Sequence, residues 1–102
     1  MNVANLQIEG LVMAVASLTH LLVSKGVLSA DEVDLALAKA EAGMAGEDRA
    51  YNDLRPSNRD AVCFPIRLLR LANTAPGEAG VRPFSELAKM VGQTKQSYND
   101  QM

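Results

Sequence analysis

Three groups of side chains in this sequence have residue types and spacings that could do chemistry. The first is a pair. Cys63 is the single cysteine and His20 the single histidine. A thiol beside an imidazole makes a nucleophile and its base, but such a site also needs a group that orients the base. No motif here supplies that third member. Cys63 falls on a helix face rather than at a helix start, where a thiol pKa is lowered. No second histidine, cysteine pair or carboxylate cluster stands at metal-ligand spacing. Gly77 and Gly80 flank Glu78-Ala79 without a following Lys-Ser or Lys-Thr, so there is no phosphate-cradling loop. The sequence predicts no catalytic residue, no cofactor, no metal and no small-molecule substrate.

The second group is a stripe of arginines. Arg59, Arg67 and Arg70 fall within about 80° of arc when each residue turns the helix by ~100°. Cys63 lies among them and Arg55 just before the helix. Arginine grips carboxylate or phosphate in bidentate fashion, so the stripe is a candidate contact for phosphate or an acidic partner. The plainer reading, and the favoured one, is a surface face that pairs with the acids of the preceding helix, such as Asp31, Asp34 and Glu41.

The third group is Thr94, Lys95, Gln96 and Ser97. Leu87-Ala88 followed by Val91-Gly92 has the spacing of a helix–turn–helix, in which those four residues would open a recognition helix against DNA. Three features weigh against it. Gln93 stands where the turn normally carries an apolar residue, only eight residues follow Thr94, and the net charge is −2.

The elements that must position these groups are helical. The chain has 102 residues, 48% of them hydrophobic, with two Tyr, two Phe and no Trp. One domain spanning 1–102 is expected, with a core of Leu, Val, Ile, Ala and Met suited to close-packed helices. Between Leu6 and Ser24, the residues Ile8, Leu11, Val15, Leu18 and Leu22 repeat at alternating spacings of three and four, which marks one helix seam. Val12, Ala16 and Val23 widen the apolar arc on a second flank. Glu9, Gly10, Ser17, His20 and Ser24 leave only a narrow polar strip. A helix so apolar must be covered on two sides, which makes Leu11, Val12, Val15, Leu18 and Leu22 candidates for self-association. The apolar stretch from Gly10 to Val23 carries Ser17, Thr19 and His20 and falls short of the ~20 residues a bilayer span needs. No basic segment or cleavage site reads as a signal peptide. With one cysteine and no intramolecular disulfide available, a soluble cytoplasmic protein is expected.

Lys25-Gly26 should end the first helix. Ser29-Ala30-Asp31-Glu32 is a capping box that opens a second helix, to about Ala45, with an apolar seam of Val33, Leu37, Ala40 and Met44. The short turn predicts an antiparallel hairpin over 1–46. The run 21–33, Leu-Leu-Val-Ser-Lys-Gly-Val-Leu-Ser-Ala-Asp-Glu-Val, resembles an N-terminal hairpin of nitrile hydratase subunits. The cysteine cluster that binds metal in those enzymes is missing, so the resemblance implies a hairpin and no activity. A polar loop spans Gly46 to Arg55, with one helical turn possible around Tyr51. A third helix follows within 56–73, with Ser57 as its cap and a kink or restart at Pro65. Pro76-Gly77 and Gly80 mark a loop. Short helices fill 83–100, one stopping at Gly92 and one capped by Thr94, with order at the C-terminal end left open. The expected fold is therefore an all-α bundle of four helices, or five if the last segment breaks.

Charge is uneven. Residues 1–54 carry three basic and eight acidic side chains, and residues 55–102 carry seven basic and four acidic. Neutralisation of one half by the other inside a single fold is the favoured reading; free halves would instead guide partners. The function expected is a non-enzymatic protein-interaction or self-association module, its partner a protein and in the first instance a second copy as a homodimer. The alternative is a small nucleic-acid-binding regulatory protein. No membrane partner is expected.

Overall fold

A computed structural model of the chain describes residues 3–45, 56–77 and 80–100; the side chains of 45, 56–58 and 94–100 are not among the described ones. Four helices account for most of it: α1 (Val3–Ser24), α2 (Ala30–Ala45), α3 (Pro56–Thr74) and α4 (Phe84–Asp100). No strand occurs among the described residues. The fold is all-α, as composition and periodicity require.

The local signals in the first half act as read. Past the end of α1, Gly26 takes a φ of 78°. Its amide donates to the Val23 carbonyl at 3.0 Å, and the Val27 amide donates to the Leu22 carbonyl at 3.0 Å. That pair of bonds is a Schellman cap, which only a residue tolerant of the left-handed conformation can close. The capping box is present in both directions. The Ser29 amide donates to Glu32 Oε1 at 2.8 Å and the Glu32 amide donates to Ser29 Oγ at 3.0 Å.

The arrangement of these helices differs from the expected hairpin packed against a third helix. α1 and α2 scarcely touch, and each packs on α3 instead. The reason lies in α3, which is apolar on one side and charged on the other, so that it needs cover on both. Its apolar side, with Leu68 and Ala72, meets Val12 and Ala16 of α1 and Leu87 and Val91 of α4 in one buried cluster. Its other side, with Cys63, Arg67 and Arg70, meets α2.

Three boundaries depart from expectation. α3 begins at Pro56, the first-turn position where a missing amide hydrogen costs nothing, so Ser57 lies inside the helix. It runs unbroken through Pro65, with no restart. Phe64 stacks edge-on to Phe84, with ring centroids 6.4 Å apart, and Leu68 is fully buried one turn on, so tertiary packing holds both sides of the proline. α4 is one helix rather than two. It passes through Gly92, which does not take the positive φ that Gly26 and Gly80 take. The polar loop with Tyr51 and the Arg55 position lie outside the described residues.

The membrane expectation also needs correction on length. Because Val3–Glu9 joins the same helix as Gly10–Ser24, α1 reaches 22 residues with a mean hydropathy of 1.6 over its most apolar window. By length and composition alone it is long and apolar enough to cross a bilayer.

Candidate functional site

The arginine stripe faces inward. Arg70 Nε donates to Asp34 Oδ1 at 2.9 Å, its Nη2 to Asp34 Oδ2 at 3.3 Å and its Nη1 to Glu41 Oε1 at 3.1 Å. Arg67 Nε donates to Glu41 Oε2 at 2.9 Å and its Nη1 to Asp60 Oδ1 at 3.4 Å. Glu41 thus bridges two guanidiniums, and Arg70 grips Asp34 with a bidentate fork. The hydrogen bond from Arg70 holds the Asp34 carboxyl below its ordinary pKa, against a smaller opposing effect of burial. Burial works against the charge of Arg67, but its bonds to Glu41 and Asp60 outweigh this and its pKa rises. Two of the four arginines considered for phosphate therefore spend donors on Asp34, Glu41 and Asp60. Arg59 is exposed, and Arg55 is outside the described residues.

Cys63 is fully buried, with its Sγ 4.0 Å from the Glu41 carbonyl oxygen. Burial pushes the thiol pKa up, the reverse of what an activated cysteine needs. His20 stands elsewhere. A Cβ placed on Gly80 would lie 3.4 Å from His20 Nε2, so the ring rests against that loop. His20 also shares a cavity with Ala72, Asn73 and Pro76. Those residues begin nine positions along α3 from Cys63, or ~13 Å at 1.5 Å per residue. The structure does not bring the thiol and the imidazole together. Among the described residues no group of three His, Cys, Asp or Glu could hold a metal ion.

Thr94, Lys95, Gln96 and Ser97 lie within α4 rather than after a turn, and their side chains are outside the described ones. A helix–turn–helix needs a bend before its recognition helix. The continuous helix through Gly92 removes that bend.

What the structure does assemble is apolar surface on α1. Val12 and Ala16 are 5% and 4% exposed and face the core. Ile8, Leu11, Val15, Leu18 and Leu22 are 46%, 65%, 37%, 63% and 38% exposed. The core took the flank and left the seam outside. Of the five residues expected to self-associate, Val12 is therefore internal and the other four are presented to solvent. Val3, Leu6 and Leu21 are also exposed along α1.

Beside this seam lies a groove. Val15 and Val23 of α1, Val33 and Leu37 of α2, and Leu69 and Ala72 of α3 line a cavity of about 220 Å³. It exists because α1 and α2 are splayed over α3. Polar groups gather at one end, among them Asn73, whose Nδ2 donates to the Ala30 carbonyl at 2.9 Å and ties the start of α2 to α3. The α2 wall was legible as an apolar stripe, Val33, Leu37, Ala40 and Met44. That it lines an open groove was not, because no local signal sets the angle between two helices.

Comparison of the chain with protein-family models, with curated proteins and with solved structures returned no match.

Proposed function

We propose that this chain is a non-enzymatic interaction module whose working surface is the seam of α1, and that it acts in a reducing, cytoplasmic setting suited to its single buried cysteine. The observation that carries the reading is the exposure of Ile8, Leu11, Val15, Leu18 and Leu22 along one helix face. Five regularly spaced aliphatic side chains form a contiguous patch of the kind that marks an interaction site rather than scattered surface apolar residues. The buried, pKa-raised thiol and the distant imidazole favour a non-catalytic role.

The test contrasts two neighbours. In Leu11→Glu the new carboxylate reaches water, so the protein should keep its helical circular dichroism and lose concentration-dependent association. In Val12→Glu the carboxylate enters the core unpaired. That costs several kcal/mol against a total stability of about 5–15 kcal/mol, so this variant should unfold. If both variants unfold, the seam is structural and the reading fails.

A further inference from the structure

We propose that the cleft between the first turns of α1, the N-terminal half of α3 and the start of α4 binds a small organic ammonium ion, an aryl- or alkylamine in its protonated form. Asn5 and Glu9 of α1, Ala61, Phe64 and Pro65 of α3, and Phe84 of α4 line it. This binding does not depend on α1 associating with anything.

Size separates this cleft from the cavity beside His20. Sites for drug-sized ligands run from roughly 300 to 1,000 Å³. The cavity beside His20, at about 220 Å³, falls below that range, and no Asp, Glu, Lys or Arg lines it. The cleft at Glu9 measures about 440 Å³. A lysine side chain is a slender methylene stem and would leave much of that space empty. The guest is therefore a free molecule rather than a residue of another protein.

The charge of the guest follows from the walls. Glu9 is the only Asp, Glu, Lys or Arg on α1 and is half-buried. Among the described residues it enters no salt bridge, and no Lys, Arg or His lines the cleft. A carboxylate partly withdrawn from water gains from a cation placed beside it. Pro65 adds a second acceptor. It has no amide hydrogen, so the helical bond that the Ala61 carbonyl would accept from position 65 is missing, and both residues line the cleft. Asn5 lies one turn from Glu9 on the same face of α1, and its amide oxygen is a third acceptor. An ammonium group has hydrogens to give and no lone pair to offer, which matches this set. The hydrocarbon of the guest meets Phe64 and Phe84, whose ring centroids lie 6.4 Å apart at 67°. Ring faces attract ammonium groups, and the rings also pack against hydrocarbon.

Isothermal titration of the full chain at neutral pH compares phenethylammonium with phenethyl alcohol, which has nearly the same shape and no charge. Wild type should bind the ammonium about tenfold or more tightly, the scale of one charge-assisted hydrogen bond. That difference should shrink as salt is added. Glu9→Gln keeps the shape of the side chain and should abolish the preference. Ala61→Phe fills the cleft from an exposed helix position and should weaken binding of both probes. Circular dichroism checks folding, and the comparison of the two probes on wild type stands even if a variant fails to fold. Equal affinity for the two probes in wild type, or no saturable binding of the ammonium, overturns the proposal. So does a preference that survives Glu9→Gln or Ala61→Phe, which would place the recognition of charge elsewhere on the molecule. Binding of N-acetyl-lysine amide as tight as that of phenethylammonium would assign the cleft to a lysine of another protein and overturn the free amine.

Discussion

Asp34 and Glu41 decide what the arginines of α3 can do. A guanidinium on a surface helix is free to meet phosphate. One held by a bidentate carboxylate must first give up that bond. Half-buried pairs of this kind contribute modestly while intact and cost more when one partner is removed, since the other charge stays desolvated. A consequence for acid stability follows from Asp34. Its folded pKa lies below the ordinary value, chiefly through the Arg70 hydrogen bond. The stabilisation is therefore complete above the unfolded carboxylate pKa of about 3.9 and is lost as pH falls through the lower folded value. Asp34→Asn cannot ionise. Urea midpoints of wild type and Asp34→Asn should differ by a constant amount at pH 6–7 and converge as the pH drops below about 4. A difference that persists undiminished under acid would mean that the Asp34–Arg70 bond adds nothing through its charge.

At the level of the helices, what was legible in the sequence was local, and what was not was set between elements. The capping box at Ser29 and Glu32 and the glycine cap at Gly26 act within a few residues, so their effect is written in order along the chain. The choice of buried face on α1 is different. The seam and the flank are both apolar, and only the position of α3 and α4 selects Val12 and Ala16 over Leu11 and Leu18. Gly92 as a stop, and Pro65 as a restart, misled for a related reason. Each is a real local penalty, yet neither is large enough to break a helix that its neighbours hold. Gly92 gives a sharp test. It is exposed, sits inside α4, and a Cβ there would meet nothing within 4 Å. In a continuous helix Gly92→Ala should stabilise the protein by roughly 0.5–1 kcal/mol, since alanine surrenders less backbone entropy. In a helix–turn–helix that needed a left-handed glycine, the same change would destabilise it. Thermal melts of the two proteins decide between them, and a lowered Tm would restore the turn.

Across the whole molecule, α3 is the centre, with an apolar contact to α1 and α4 on one side and an ionic contact to α2 on the other. The ionic contact joins the acidic first half of the chain to its basic second half. Asp34 and Glu41 belong to the acidic half, Arg67 and Arg70 to the basic half, and the α2–α3 contact joins them. Two of the seven basic side chains of the second half are engaged in this contact. Binding to nucleic acid at low salt depends on how many phosphates are neutralised, with a log–log salt slope of about −0.9 for each on duplex DNA. Since Arg67 and Arg70 are engaged, mixed-sequence duplex should remain unbound in fluorescence anisotropy at low salt, where electrostatic attraction is strongest. A slope near or steeper than about −4 would require roughly four phosphate contacts. If the arginines of α3 leave their carboxylates to supply some of them, Asp34→Asn, which frees Arg70 from its main partner, would bind more tightly than wild type. Absence of binding in both proteins would show that the α3 arginines remain held by their carboxylates and would remove nucleic acid as the reading of the stripe.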